Sequence, residues 1–183
     1  MNKLLLISLL AFCFMAGFSS VNAHIYHQKI GAAMLISNGG FGTNVTPAVF
    51  YGARLNLAEP SSDMSLSLNV EPGGFFEGVI SSRGGSAGAF VLDIPAYLCL
   101  NLGGYATYDS DNYFGGYFGL GYEYSTFAST FGGSGSGSGP IATGGIRLLI
   151  ADNPYELGFT YMLGLGDSPN QIGIRAAFLI GDY

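Results

Sequence analysis

The chain has no tryptophan, two cysteines, two histidines, and six lysines and arginines against twelve aspartates and glutamates. Charged residues make up 10% of it, where an ordinary soluble domain carries about a quarter. Each shortage excludes something. An acidic chain with so few cations has no electrostatic footprint for nucleic acid. Cys13 falls within the leading apolar run, so beyond it only Cys99 remains. Neither an intramolecular disulfide nor a cysteine-type metal site can then form. His24 and His27 both stand early in the chain, and nothing pairs either with a nucleophile. The expectation is therefore no enzymatic activity, no cofactor and no metal. After residue 23 there is also no apolar run long enough for a spanning helix.

What is present begins with an export signature. Lys3 precedes an apolar stretch from Leu4 to Phe18, and Ser19-Ser20-Val21-Asn22-Ala23 places small residues before a cleavage site. The domain division expected is a signal peptide over 1–23 and one domain over 24–183.

That domain is patterned with period two, the signature of strands with unlike faces. In Met64–Glu71 every even position is apolar and every odd one polar. Val45, Val49, Tyr51, Ala53, Leu55 and Leu57 form one apolar row, and Phe90, Leu92, Ile94, Ala96, Leu98, Leu100 and Leu102 another. Tyr155 to Leu163 and Ile172 to Ile180 repeat the pattern, and Gln28–Ile36, Tyr113–Tyr124 and Ile141–Ile150 follow it less cleanly. The rhythm predicts an all-β fold, a closed eight-stranded antiparallel transmembrane β-barrel.

The polar face is too poor in Lys and Glu to coat a soluble barrel, and its Ser, Thr, Asn and Gly suit a narrow filled lumen. Lipid then takes the apolar face, and closure is the way a sheet survives there. With both chain ends in the periplasm, Pro72–Gly88 and the Gly/Ser-rich Thr126–Gly139 are expected as long outer loops, the second flexible. Pro95 sits in mid-strand, which requires a bulge or a locally missing ladder bond.

Leu92-Asp93-Ile94-Pro95-Ala96-Tyr97-Leu98-Cys99-Leu100-Asn101-Leu102-Gly103 resembles the central strand of small outer-membrane β-barrel proteins of Bacteroidota, a set that includes PorT-like proteins. Phe114–Tyr122 is similar to their Gly/aromatic strand, and Gly144–Arg147, Tyr155–Leu157 and Ile172–Arg175 extend the resemblance. It implies architecture, and through the PorT-like members a place in a secretion complex.

Alternation turns Arg54, Glu71, Asp93, Glu123, Arg147, Glu156 and Arg175 inward. They are read as an ion-pair network, because an unpaired buried charge is costly; the functional reading of the same residues is a gate. Phe75, Phe76, Arg83, Phe127 and Phe131 are the side chains of the expected outer loops able to anchor a partner. The function expected is an integral outer-membrane structural, scaffold or accessory subunit of an envelope or secretion complex. The alternative is a surface binding or adhesion barrel that uses its outer loops. Expected partners are outer-membrane lipid and other envelope proteins.

Overall fold

The alternating rows become one antiparallel sheet. The computed structural model describes residues 26–39, 42–80, 86–107, 109–129, 134–150, 153–166 and 169–180; the expected signal segment lies outside them. Among the described residues the strands are β1 (Tyr26–Gly39), β2 (Gly42–Ser61), β3 (Met64–Val70), β4 (Gly73–Ile80), β5 (Ser86–Gly103), β6 (Phe114–Ser129), β7 (Ser134–Ile150), β8 (Asn153–Met162) and β9 (Asn170–Ile180). Sequence neighbours pair from β5 to β9, and β1 pairs with both β2 and β9.

The count is nine where eight were expected, and two prolines explain the difference. Val70 pairs with Ala96 and Gly73 with Asp93, so β3 and β4 keep one register against β5 across Glu71-Pro72. Against β2 they do the same, with Val70 opposite Ala53 and Gly73 opposite Phe50. Pro72, within the interruption, and Pro95, opposite it on β5, have no N–H to give. The Glu71 amide donates to the Pro95 carbonyl at 3.1 Å, and the Tyr51 amide to the Pro72 carbonyl at 3.0 Å, so the backbone there stays satisfied.

The two expected long loops are largely strand. Gly73–Ile80 pairs with Ser86–Asp93, and Ser134–Gly139 of the Gly/Ser tract pairs with Glu123–Ala128. A ladder is made by the backbone, so small side chains do not prevent it when a β-prone partner such as Tyr124-Ser125-Thr126 lies alongside.

The faces divide as the alternation requires, except at one point. Phe90, Leu92, Ile94, Leu98, Leu100 and Leu102 are exposed, while Asp93, Tyr97, Cys99 and Asn101 between them are buried. Leu57, expected in the outward row, is buried instead. A register shift between Asn56 and Ala58 turns it inward.

Candidate functional site

The buried face holds polar and charged residues where a water-soluble core would hold apolar ones. Arg147 and Glu156 stand directly opposite one another on β7 and β8. The Arg147 Nε donates to Glu156 Oε2 at 3.2 Å and its Nη2 to Asn101 Oδ1 at 2.8 Å. Lys29 on β1 donates to Glu156 Oε1 at 2.8 Å and also pairs with Glu71, which in turn pairs with Arg175 on β9. The result is a chain Arg175–Glu71–Lys29–Glu156–Arg147, three cations alternating with two anions. Asn101 extends it by donating to Ser67 Oγ at 2.8 Å and Ser65 Oγ at 3.1 Å. Every charge in that chain is buried, so each carboxylate shared by two cations offsets desolvation that a lone ion could not.

Tyr117 lies beneath this chain, with the Arg147 guanidinium 4.8 Å and the Lys29 ammonium 5.7 Å from its ring centre. Both distances are within cation–π range. The ring fits because the two positions beside it in the same register row, Gly145 and Gly158, have no side chains. A Cβ on Gly145 would meet the ring at 2.8 Å, and one on Gly158 would collide with the hydroxyl. On the far side the Arg175 guanidinium stacks 4.3 Å from the Phe50 ring.

At the end of the sheet where β1 begins and β9 finishes, the β5–β6 connection folds back over the buried face. Tyr105, Ala106 and Thr107 are buried. Arg54 Nη2 donates to the Tyr105 carbonyl at 2.6 Å, Asn56 Nδ2 to the Ala106 carbonyl at 3.0 Å, and the Ser65 hydroxyl to the same Ala106 carbonyl. Tyr105 adopts φ 61°, the left-handed region that a bulky residue enters only when its surroundings require it. From outside, Asp63 accepts from Ser110 Oγ at 2.9 Å and Asn112 Nδ2 at 2.8 Å.

At the opposite end there is a cavity of about 50 Å³, whose walls include Asp93, Glu123, Tyr97, Thr160, Gln171 and Arg175. Asp93 and Glu123 stand on adjacent strands, two residues apart in register.

The sequence-derived residues thus sort into three places. Glu71, Arg147, Glu156 and Arg175 meet in the ion-pair chain, Arg54 holds the folded-back connection, and Asp93 and Glu123 share the cavity. Lys29, which joins the two carboxylates, was missed. Its neighbours on the inward side are Gly31, Ala33 and Leu35, which hide the polar row; its alternation with the exposed Ile30 was the available signal. Phe75 is not an outer-loop anchor: it is buried in β4 against Ala48 and Val91. For Phe76 and Phe127 only the backbone is described, within β4 and β6 rather than in loops, and Arg83 and Phe131 lie outside the described residues.

No protein-family model matches the sequence, and no curated protein is significantly similar to it. Solved structures do match. Neisserial surface protein A aligns over 85% of this chain and 96% of its own, at 11% identity and a TM-score of 0.59. The attachment invasion locus protein Ail of Yersinia pestis, solved with the heparin analogue sucrose octasulfate, aligns over 85% and 97%, at 15% identity and a TM-score of 0.52. The outer-membrane enzyme PagL also matches, at 10% identity and a TM-score of 0.47 over 82% of this chain and 99% of its own. Beside that match the expectation of no enzymatic activity does not stand, because fold does not decide function and few histidines do not exclude catalysis by other side chains. The likeness is one of fold, and the fold is that of small outer-membrane β-barrel proteins.

Proposed function

We propose that this chain is an integral outer-membrane protein whose sheet closes on itself as an eight-stave barrel, and that it serves as a structural or accessory subunit of an envelope assembly. One observation carries the reading: the burial pattern is inverted relative to a water-soluble barrel. Buried positions hold Lys29, Arg54, Asn69, Asn101, Arg147 and Glu156, while Val49, Leu120 and Ile174 are exposed at 67%, 59% and 61%. Apolar area on that scale is stable only against an apolar neighbour. Lipid meets that need, provided no strand edge is left open to it.

Three further features support the membrane reading. β1 lies between β2 and β9, and β3 with β4 acts as a single stave, so the pairings return to their start. Exposed tyrosines stand towards both ends of the apolar belt, Tyr113 and Tyr155 at one and Tyr122, Tyr124 and Tyr161 at the other. Such aromatics suit the two interfaces of a bilayer. The export signature of residues 1–23 supports delivery to the envelope.

The interior is filled by the ion-pair chain and the Tyr105–Thr107 fold, which favours a scaffold over a pore. The resemblance of Leu92–Gly103 to PorT-like barrels supports the secretion version of that role. Adhesion to a polyanion is less well supported. Ail was solved with a heparin analogue, but the cations described in this chain, Lys29, Arg54, Arg147 and Arg175, are all buried.

The test is fractionation followed by capture. The mature protein should sediment with outer membranes, resist alkaline extraction and migrate faster on gels before boiling. Affinity capture from mild detergent should bring down a stoichiometric envelope partner. Recovery as a soluble monomer would overturn the membrane reading, and capture of the barrel alone would overturn the subunit reading.

A further inference from the structure

One seam of the sheet is only partly joined. β2 and β4 pair at Phe50–Gly73, Val49–Gly74 and Ala48–Phe75. Among the described residues the ladder goes no further: Gly42–Pro47 pairs with β1 alone, and Phe76–Ile80 with β5 alone. The break falls where Pro47 would meet Phe76. The Tyr51 amide donates to the Pro72 carbonyl at 3.0 Å, which fixes the phase of both strands. Odd-numbered residues of β2 turn their backbone groups towards β4, and even-numbered residues of β4 turn theirs towards β2. Pro47 belongs to that set and has no N–H to give. Beyond it Thr43 and Val45 on one edge, and Phe76, Gly78 and Ile80 on the other, face the seam with no ladder bond across it among the described residues.

Such edges are costly where they stand. Val45 and Val49 belong to the outward apolar row and are exposed at 57% and 67%. Backbone groups in an apolar belt find no water and must be satisfied by other backbone. The edges are also poorly guarded: neither run contains Lys or Arg, and Glu77 is the single charge in the two. β2 and β4 run antiparallel to each other, which limits what can fill the seam. A foreign strand laid between them would be antiparallel to one edge and parallel to the other. A second copy of this chain instead carries the complement of each edge, already in the right direction and phase.

We propose that two copies of this chain exchange these edges within the outer membrane, Gly42–Pro47 of each pairing with Phe76–Ile80 of the other. Continuing the register of Ala48–Phe75 sets Thr46 opposite Glu77 of the second copy, Val45 opposite Gly78 and Thr43 opposite Ile80. A two-fold axis along the membrane normal keeps both barrels the same way up and gives a closed dimer, each chain presenting the same two edges. The exchange satisfies backbone groups that do not meet within one chain. It depends on the barrel reading and is independent of the subunit role.

The experiment uses two copies of the full chain, tagged to different sizes and co-expressed so that both reach the outer membrane. Each carries Cys99→Ala; one adds Thr46→Cys and the other Glu77→Cys. Thr46 and Glu77 fall in a non-hydrogen-bonded pair, the closer of the two kinds and within disulfide reach. Mild oxidation should give a reducible dimer of mixed size that neither variant gives alone. Val45→Pro removes an N–H that faces the seam and none that β1 uses, so adding it should abolish the dimer and leave heat-modifiable migration intact. Where Val45→Pro does not fold, a single chain carrying both cysteines decides: it too should form the dimer. A reducible shift of that chain as a monomer, with no dimer, would show that the seam closes on itself and overturn the proposal. Absence of any crosslink, or a crosslink only to a different protein, overturns it equally. Failure of the barrel reading is told apart by a wild type that lacks heat-modifiable migration.

Discussion

Arg147 and Glu156 face each other directly across the β7–β8 ladder, each 1% exposed, and the guanidinium Nε lies 3.2 Å from the carboxylate. The pair is asymmetric in what depends on it. Glu156 also receives Lys29, whereas Arg147 has one other hydrogen-bonded partner, Asn101. Removing the carboxylate leaves two cations short of charge, and removing the guanidinium leaves Glu156 still paired with Lys29.

Glu156→Gln should therefore destabilise the protein more than Arg147→Met. Breaking a buried pair from one side typically costs about 3–5 kcal/mol, and the first variant belongs at the upper end. Urea unfolding of the protein in lipid vesicles measures both. Neither variant should conduct ions across a planar bilayer, because Tyr117, Lys29 and the Tyr105–Thr107 fold still fill the interior. An ion current in a variant of wild-type stability would favour the gate reading of the same residues.

Tyr117 and Gly158 are coupled by space rather than charge. A methyl at Gly158 collides with the tyrosine hydroxyl, but its distance to the ring carbon bearing that hydroxyl is 3.3 Å. Gly158→Ala should cost about 1–3 kcal/mol, the usual range for overpacking. Adding Tyr117→Phe should restore only the part due to the hydroxyl, because the methyl also lies 2.9 Å from the Gly144 carbonyl oxygen. The hydroxyl has no hydrogen-bond partner among the described residues, so Tyr117→Phe alone should be close to neutral. A double-mutant cycle with no coupling would show that the ring moves aside instead.

These relationships show what could be read from the residues and what could not. The strand faces were legible because every outward position of β5 from Phe90 to Leu102 is apolar, and period two leaves one assignment for such a row. Seven inward charges followed from the same rule. Lys29 escaped because Leu35 and the small residues around it weaken the alternation of β1. Pro72 and Pro95 were visible one at a time, but only pairing shows that they meet at a single gap. The Gly/Ser tract reads as flexible by composition, yet its backbone completes a ladder with β6. The fold of Tyr105–Thr107 had no signal beyond the length of its connection, because Arg54, Asn56 and Ser65 hold it by the carbonyls of Tyr105 and Ala106.

That connection gives a third prediction. Arg54 holds the Tyr105 carbonyl at 2.6 Å, while Asp63 holds the outer part of the segment through Ser110 and Asn112. Arg54→Met keeps the length of the side chain and removes its donors. With that hold gone and Tyr105 no longer kept at φ 61°, the segment should open and be cut faster by protease within 104–112. Asp63→Asn should have a smaller effect, because it still accepts through its amide oxygen. An unchanged cleavage rate for Arg54→Met would show that the Asn56 and Ser65 donors to the Ala106 carbonyl keep the segment in place without Arg54.

Phe75 separates the outer-loop reading from the one the packing supports. As a loop residue it would contribute to partner capture, and Phe75→Ser would leave the barrel intact. In the structure it stands in one register row with Ala48 on β2 and Val91 on β5, with Ala33 beyond Ala48 on β1. Phe75, Ala48 and Val91 are buried together, with Ala33 and Leu35 packed against them. This apolar row crosses four neighbouring strands beside Pro72, which has no N–H to give to the ladder. Side-chain packing must do more of the work there. Phe75→Ser should therefore destabilise the protein by about 3 kcal/mol, in the range for truncating a buried aromatic, and Phe75→Leu should recover most of the loss. Urea unfolding midpoints measure both, with Leu92→Ser on the outward face of β5 as a control for simple loss of apolar area. Wild-type stability of Phe75→Ser, with loss of a captured partner, would return Phe75 to the outer surface and overturn the packing described for it.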